Sequence, residues 1–341
     1  MGVDFTPIIP RQRLELHQLR GRSFALDASI ELYQFLALIR KPDGEPLRDS
    51  RGRVTSHLVG LLFRSTRLLD EYGMRLIYVF DGEPHPLKGE VLRRRREARR
   101  RAYEEWRRLL TAGDLRRAWS KAVVSSTLTH EIIQDAKTLL GLMGIPYVDA
   151  PSDAEAQAAY YCGTGAVWAC GSKDYDSILF GADRLVRYLT IQGSEYMPSK
   201  GLFRSLKPEL VDAKRVSTLL GLGREQLVDV AILMGTDYNR GVFGIGPKRA
   251  LELIRRFGSI ENLPSHIRAR VDPNFEEVRR VFLHPRVSET PPPPFKSPDE
   301  RGILDFLVNE RGFSRERVMT AIERLRRVQV SLAQEPLSKY V

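Results

Sequence analysis

The segment Pro151–Ser177 places acidic residues on both sides of one apolar strand. The acids form two pairs with a one-residue spacing: Asp153, Glu155, Asp174 and Asp176. The pattern predicts a helix that begins at Ser152 and carries the first pair in its first turn, and a strand at Ala166–Cys170 that the second pair follows. In open α/β sheets, ligands bind beyond the carboxyl ends of the strands. Neighbouring carboxylates repel one another unless a cation lies between them, and oxygen donors of this type select magnesium or manganese.

Each of these acids also has a purely structural interpretation. Ser152 with Glu155 three residues later is a capping box, and Asp153 would then complement the dipole of the helix. The second pair is typical of turn residues that follow a strand. These interpretations weaken when the acids are taken together, because the chain supplies more acids in equivalent places.

Two further apolar strands, Ser23–Asp27 and Arg75–Phe80, lead into an acid, and so does the apolar helix Leu227–Met234. They add three members to the acidic set: Asp27, Asp81 and Asp237. Strands that alternate with helices predict an α/β fold with a doubly wound, mostly parallel sheet. In such a sheet the strand-end acids share one edge.

The charge of the chain favours a polyanionic partner, since 54 lysines and arginines oppose 43 acids and the net charge is +11. Seven of the nine residues Arg93–Arg101 are arginine, within a predicted helix Lys88–Leu110. A charge run is usually a solvated helix face. A run of one sign repels itself, however, so neutralisation of nucleic-acid phosphates explains it better.

The segment Gly241–Ala250 precedes a predicted helix that ends near Phe257. Glycines before the amino end of a helix expose backbone N–H groups to a phosphate. Lys248 and Arg249 lie on the first turn of that helix. The alternative is an ordinary tight turn between two helices.

Six blocks of the chain, spread in order over nearly its whole length, resemble the flap endonucleases, which are structure-specific 5′ nucleases, and most closely the archaeal and eukaryotic replication type. The blocks are MGV at the start, ALDASIELYQFL, VFDGEPHPLK, MGIPYVDAPSDAEAQAA, SKDYDSILFG and LMGTDYNRGVFGIGPKRA. The resemblance implies a PIN-like nuclease core, a central mostly parallel twisted sheet flanked by helices. It also implies a single nuclease domain over residues 1–328, with a helical arch at about 88–125, a helix–two-turn–helix at about 227–257 and a tail at 329–341.

The resemblance assigns metal binding to seven carboxylates: Asp27, Asp81, Asp153, Glu155, Asp174, Asp176 and Asp237. It implies two Mg²⁺ ions per subunit, with Mn²⁺ as a substitute, and a K⁺ ion at the helix–two-turn–helix. The family commonly has glutamate where this chain has Asp153, so the shorter side chain is expected to act directly or through a bound water.

Other roles follow from the same resemblance. Lys88 and Arg95 match catalytic cations at the base of the arch. The expected DNA contacts are Gly2, Tyr33, Arg40, Arg64, Arg187, Gly244, Gly246, Lys248 and Arg249. The end of the chain is similar to a tail that docks on a sliding clamp through Gln334, Leu337 and Tyr340, with Val341 in place of a second aromatic residue.

The resemblance therefore implies a metal-dependent hydrolase that cleaves 5′ flaps at single-strand/duplex junctions in DNA replication and repair. Exonuclease activity in the 5′–3′ direction on nicks and gaps is also expected. Its partners are branched DNA and the sliding clamp, and the protein is expected to be a monomer without a membrane span. The compartment is intracellular, cytoplasmic in an archaeon and nuclear in a eukaryote. A related repair exonuclease and a non-catalytic DNA-binding scaffold are the alternatives.

Overall fold

The structure is a computed structural model that describes residues 2–191, 193–197 and 202–334. Its strands are Gln12–Arg13 (β1), Ser23–Asp27 (β2), Arg75–Phe80 (β3), Tyr147–Asp149 (β4), Ala169–Gly171 (β5), Arg184–Arg187 (β6), Gly193–Met197 (β7), Leu202–Leu206 (β8) and Glu209–Asp212 (β9). Its α-helices are Ala28–Leu38 (α1), Ser56–Tyr72 (α2), Gly89–Thr111 (α3), Leu115–Val124 (α4), His130–Leu142 (α5), Ala154–Gly163 (α6), Asp176–Leu179 (α7), Ala213–Leu220 (α8), Arg224–Met234 (α9), Pro247–Phe257 (α10), Ser265–Arg268 (α11), Phe275–Leu283 (α12), Glu300–Leu304 (α13) and Arg315–Gln334 (α14).

The main sheet has the strand order β1-β9-β6-β5-β2-β3-β4. The pairs β2–β3, β2–β5, β3–β4 and β5–β6 are parallel, and β9 pairs antiparallel with β1 and β6. The predicted mostly parallel α/β sheet flanked by helices is confirmed. Strands β7 and β8 form a separate antiparallel pair.

Alternation along the central strands builds an apolar layer on each face of the sheet. In β2, Ala25 contributes to the layer that contains helices α6, α9 and α10, whereas Phe24 and Leu26 contribute to the layer with α1, α2, α5 and α14. Successive side chains of a strand point to opposite faces, and strands that are apolar at every position are therefore covered on both. The uninterrupted apolar runs in the sequence have this origin.

Helix α6 begins at Ala154, two residues later than the predicted start at Ser152, and Asp153 is its N-cap. The capping-box interpretation of Glu155 is wrong. Its carboxylate accepts hydrogen bonds from Ser172 and Ser177 across the sheet edge, at 2.8 and 3.5 Å. The strand expected at Ala166–Cys170 is shorter, Ala169–Gly171.

The arch region folds as two helices, α3 and α4, whose contact is a small apolar cluster of Trp106, Leu109, Ala118 and Ala122. Residues 265–298, which the sequence leaves irregular, contain α11 and α12, and α12 packs against α9. The sequence pattern of Gly302–Glu310 predicts a helix, and the structure has α13 there, followed by a π-helix at Asp305–Glu310.

The sequence pattern also predicts a helix at Ser314–Val328, and α14 continues past Val328 to Gln334, so the first half of the expected tail is helical. Leu337, Tyr340 and Val341 lie outside the described residues. In the part of the chain that the structure describes, no helix is both long enough and apolar enough to span a membrane.

Candidate active site

The parallel register brings three acid-bearing strand ends side by side. Asp27 is the last residue of β2, Leu26 pairs with Gly171 of β5, and Asp27 itself pairs with Val79 of β3. The acids that follow β3 and β5 therefore emerge next to Asp27. All of them lie at the carboxyl edge of the sheet, where ligands bind in folds of this class.

Gly82 allows the end of β3 to meet the start of α6. Its N–H donates to the carbonyl of Ser152 at 2.7 Å, and a Cβ at position 82 would lie 1.9 Å from the carbonyl oxygen of Ala150. Asp81 accepts a hydrogen bond from the N–H of Ala154 at 3.0 Å. Backbone contact therefore fixes Asp81 beside the acids of α6.

The amino terminus closes the site from another side. The N–H of Gly2 donates to Asp174 and the N–H of Val3 donates to Asp176, both at 2.9 Å. A Cβ on Gly2 would lie 2.4 Å from an oxygen of Asp176, so only glycine fits here without displacing the carboxylate. This places Gly2 at the acidic cluster.

Two cations of the arch base reach the acids. Lys88 pairs with Asp153, and Arg95 donates to Asp237 at 2.5 Å. Burial by itself lowers the pKa of Lys88, but the charges of Asp153, Asp81 and Asp237 outweigh it, and the pKa is raised. Lys88 is therefore protonated at neutral pH, with carboxylates around its ammonium group.

Burial and mutual repulsion raise the pKa values of several acids in the cluster. Burial, followed by the charges of Asp81 and Asp174, raises the pKa of Asp27 well above its ordinary value. Burial and the neighbouring carboxylates also raise the pKa of Glu155 well above normal, and that of Asp176 to about 7. The carboxylates of the cluster therefore repel one another, and a bound cation would reduce this repulsion.

The side chains are not already arranged as a coordination shell. Among the described residues, no group of three or more His, Cys, Asp and Glu side chains could hold a metal ion as placed. Their oxygens are held by Lys88, Arg95, serine hydroxyls and the first backbone N–H groups. The donor chemistry still fits a hard divalent cation, because all seven groups are carboxylates at one edge and the buried ones repel each other.

Tyr238 is a site residue that the sequence analysis missed. Its hydroxyl donates to Asp153 at 2.5 Å, and the ammonium of Lys88 lies 5.0 Å from the centre of its ring. The tyrosine thus contacts a predicted metal ligand and a predicted catalytic cation together. Its position directly after Asp237 was the available signal.

The arginines of α3 fall into different environments. Arg99 lies over the ring of Tyr33 at 4.8 Å, which brings the arch to an aromatic residue that is expected to contact DNA. Arg94 pairs with Glu90, and Glu90 also pairs with Arg240 from the loop before α10. The base of the arch is therefore tied to the second half of the chain by ion pairs.

Three arginines expected to contact DNA are bonded inside the protein. Arg187, with 7% of its side chain exposed, pairs with Glu209 at 3.0 Å and donates to two tyrosine hydroxyls and a carbonyl. Arg40 donates to the carbonyls of Leu36 and Gly44 and to Ser126. Arg64 donates to the carbonyl of Thr190 at 2.8 Å. These contacts give all three a structural role.

The predicted phosphate-binding loop leads into α10 as expected. Gly246 is the N-cap, Pro247 begins the helix, and no side chain caps the first N–H groups. Gly244 has φ of +81°, a conformation that favours glycine. Lys248 and Arg249 are exposed on the first turn, so free N–H groups and two cations face the solvent together.

Comparisons with known proteins agree with this arrangement. Residues 1–102 match the XPG N-terminal domain and residues 144–237 the XPG I-region. Flap endonuclease 1 of Pyrococcus furiosus is 46% identical, covering 100% of this chain and 99% of its own length, and that of Methanopyrus kandleri is 49% identical over 96% and 94%.

Solved structures superpose over nearly the whole chain as well. Flap endonuclease-1 from Methanococcus jannaschii has a TM-score of 0.76 and 36% identity, covering 97% of this chain and 99% of that one. The catalytic core of Rad2 in complex with a DNA substrate has a TM-score of 0.68 and 26% identity, with coverages of 94% and 97%.

Proposed function

This chain belongs to the flap endonuclease family, and we propose that it is a metal-dependent nuclease that hydrolyses DNA where a single-stranded 5′ flap leaves a duplex. The observation that carries the proposal is the meeting of seven carboxylates with Lys88 and Arg95 at one sheet edge. Two relatives whose sequences are 46% and 49% identical to this chain over nearly its full length are named flap endonuclease 1.

The residues that would hold the metal are the seven carboxylates: Asp27, Asp81, Asp153, Glu155, Asp174, Asp176 and Asp237. We assign two Mg²⁺ ions to them, with Mn²⁺ as a substitute and K⁺ at the loop before α10. Divalent ions, when bound, activate water and neutralise the oxygens of the phosphate under attack. Raised pKa values of Asp27, Glu155 and Asp176 support the assignment, since added positive charge relieves this repulsion.

Lys88 and Arg95 supply fixed positive charge at the reaction centre. Both lie at the start of the arch, and each is already directed at a carboxylate of the site. Cations positioned where negative charge develops stabilise the transition state more than the bound substrate. Tyr238 donates a hydrogen bond to Asp153 and so fixes the orientation of this carboxylate.

DNA is held through its backbone, so structure and not sequence selects the substrate. The proposed contacts are Gly2, Tyr33, the arginine face of α3, the glycine loop with Gly244 and Gly246, and Lys248 with Arg249. We leave out Arg40, Arg64 and Arg187, because internal hydrogen bonds engage them. The protein acts as a monomer, and its tail docks on a sliding clamp.

Substitution of single acids tests the function. Asp81→Asn and Asp174→Asn should abolish cleavage of a labelled flap in Mg²⁺ while keeping flap affinity within a few-fold, because each removes a proposed metal ligand and neither residue is among the proposed DNA contacts. The matched control is Asp149→Asn, an exposed acid at the end of β4 that pairs with Lys137. Cleavage by Asp81→Asn at the wild-type rate would refute the metal site.

The choice of substrate separates the alternatives. Flap, nicked and blunt duplexes are compared in Mg²⁺ and then with a chelator. Fast flap cleavage that stops with chelator supports the proposal, and slower 5′–3′ removal of nucleotides from nicks belongs to the same activity. A preference for blunt or nicked ends over flaps would assign the chain to the repair exonucleases instead.

A further inference from the structure

Phe243 is an exposed aromatic residue in the loop before α10. Its side chain is 93% exposed, whereas the next most exposed large apolar side chains among the described residues, Leu219 and Val330, reach 56%. Single exposed apolar residues are ordinary on protein surfaces. A phenylalanine that buries almost none of its ring is a different case, because it contributes nothing to the core and leaves its whole apolar area in water.

The loop that carries Phe243 is held firmly on the protein. Val242 is buried and its N–H donates to the carbonyl of Leu233, and the carbonyl of Phe243 accepts from Arg270 at 2.5 Å. A Cβ on Gly241 would lie 2.2 Å from the backbone of Met234, so the chain there runs against α9. The ring is therefore presented outward by an anchored backbone.

The surroundings of the ring identify the kind of partner. Lys248 and Arg249 follow on the first turn of α10, Arg270 donates to the carbonyl of Phe243, and Arg240 precedes the loop. Of these cations, Arg249 pairs with Glu252 and Arg240 with Glu90, which leaves a net positive charge around the ring. An apolar protein surface would not complement these positive charges, because it offers them no anionic partner. A nucleic-acid backbone matches both, since it alternates anionic phosphates with the apolar C–H faces of its sugars.

We propose that Phe243 packs on a deoxyribose of duplex DNA, next to the phosphates that the amino end of α10 receives. The inference rests on the proposed function and adds an apolar, salt-independent contact to a surface otherwise built from cations and N–H groups. Phosphate contacts release counterions and weaken as salt rises, whereas burial of an aromatic ring against a sugar does not. The two kinds of contact are thus separable by experiment.

The test compares Phe243→Ser and Phe243→Leu with Val330→Ser, an exposed apolar residue on α14 on the opposite face of the sheet. Affinity for a fluorescein-labelled nicked duplex is measured by anisotropy in chelator over a series of salt concentrations. We expect Phe243→Ser to bind about tenfold more weakly, Phe243→Leu to fall in between, and the slope of log affinity against log salt to stay unchanged. Val330→Ser should bind as the wild type does.

Phe243→Ser should keep the melting temperature of the wild type, because the ring makes no core contact. Flap cleavage by the wild type is measured in parallel: its absence would refute the proposed function, whereas the affinity comparison in chelator tests the contact of Phe243 alone. Wild-type affinity in Phe243→Ser overturns the inference even if flap cleavage is intact. A lower affinity with a reduced salt slope overturns it too, because the loss would then be electrostatic.

Discussion

The hydroxyl of Tyr238 lies 2.5 Å from Oδ2 of Asp153, and Lys88 pairs with the other oxygen of the same carboxylate. Burial and the charge of Asp153 raise the pKa of Tyr238, so its hydroxyl remains a proton donor at neutral pH. The ring also supports the ammonium of Lys88 from 5.0 Å. One side chain therefore orients a proposed metal ligand and a proposed catalytic cation.

Tyr238→Phe keeps the ring and removes only the hydrogen bond to Asp153. Loss of a partner that orients a metal ligand typically costs tenfold or more in metal affinity or activity. We expect the Mg²⁺ concentration for half-maximal cleavage to rise about tenfold, with weaker Mg²⁺ binding in calorimetry. Tyr160→Phe, on the same helix as Glu155, is the control. An unchanged Mg²⁺ dependence would reduce Tyr238 to a packing role.

Lys88→Ala and Arg95→Ala should slow the chemical step more than they weaken binding, since their charge counts most in the transition state. We expect single-turnover rates to fall by about 100-fold and flap affinity by much less. Arg100→Ala is the comparison within α3: Arg100 is exposed and pairs with Glu104 at 3.8 Å, so its loss should weaken binding and leave the chemical step unchanged. A change confined to affinity would place both residues in the general basic surface.

Lys248→Ala combined with Arg249→Ala should weaken binding to any duplex sequence. If each residue contacts one phosphate, the slope of log affinity against log salt falls by about 1 to 2 units. Arg301→Ala, on the far side of the sheet with 94% of its side chain exposed, controls for the loss of surface charge. A slope equal to that of the wild type would make the glycine loop an ordinary turn.

His57 makes stability depend on pH. It is fully buried, neither ring nitrogen has a hydrogen-bond partner among the described residues, and burial together with the charge of Arg311 lowers its pKa from 6.5 to about 3. Below pH 6.5 His57 is therefore protonated in the unfolded chain but stays neutral in the folded chain. This penalty on the folded state grows as the pH falls from about 6.5 to about 3.

His57→Leu removes that penalty. Between pH 7 and pH 5 the unfolding free energy of the wild type should fall by roughly 2 kcal/mol more than that of the variant. Urea unfolding at both pH values measures the difference, and the value at pH 7 serves as the reference for any packing change. Parallel curves would mean that His57 titrates normally in the folded protein.

Deletion of residues 334–341 should abolish stimulation by the cognate sliding clamp and leave clamp-independent flap cleavage unchanged. Gln334, Leu337 and Tyr340 have the spacing of the docking motif, and Val341 replaces its second aromatic. A segment that orders on binding can insert such side chains into an apolar pocket, and the missing aromatic should lower the affinity. Equal stimulation of the truncated protein would place the docking site elsewhere.

The sequence predicted the sheet and its acidic edge because both depend on local patterns. An apolar run that leads into an acid is visible without tertiary structure, and parallel pairing then brings such acids together. The helix α12 was missed because proline-rich segments beside it obscured its periodicity. Glu155 was ambiguous for another reason: a capping box and a cross-sheet hydrogen bond to Ser172 require the same residue.

Arginine positions were the least predictable part of the site. A guanidinium offers five donors on a long side chain, so an arginine near a site satisfies carbonyls and hydroxyls as readily as phosphates. Arg187 and Arg40 show this: Arg187 donates to Tyr175, and Arg40 donates to two nearby carbonyls and to the hydroxyl of the distant Ser126. Tyr238 escaped notice since nothing in one sequence says which acid its hydroxyl meets.

The pairing of Arg95 with Asp237 and of Lys88 with Asp153 makes the arch a competitor of the metal. If a metal ion binds at the proposed site, it must displace a cation of the arch base to take over either carboxylate, and its binding would then loosen the arch. By thermodynamic linkage, release of the arch base from the carboxylates would raise the affinity for the ion by the same factor by which the ion favours that release. A DNA strand whose phosphates draw Lys88 and Arg95 away would therefore raise the ion affinity of the site, and substrate and metal would assist each other's binding without touching the same atoms.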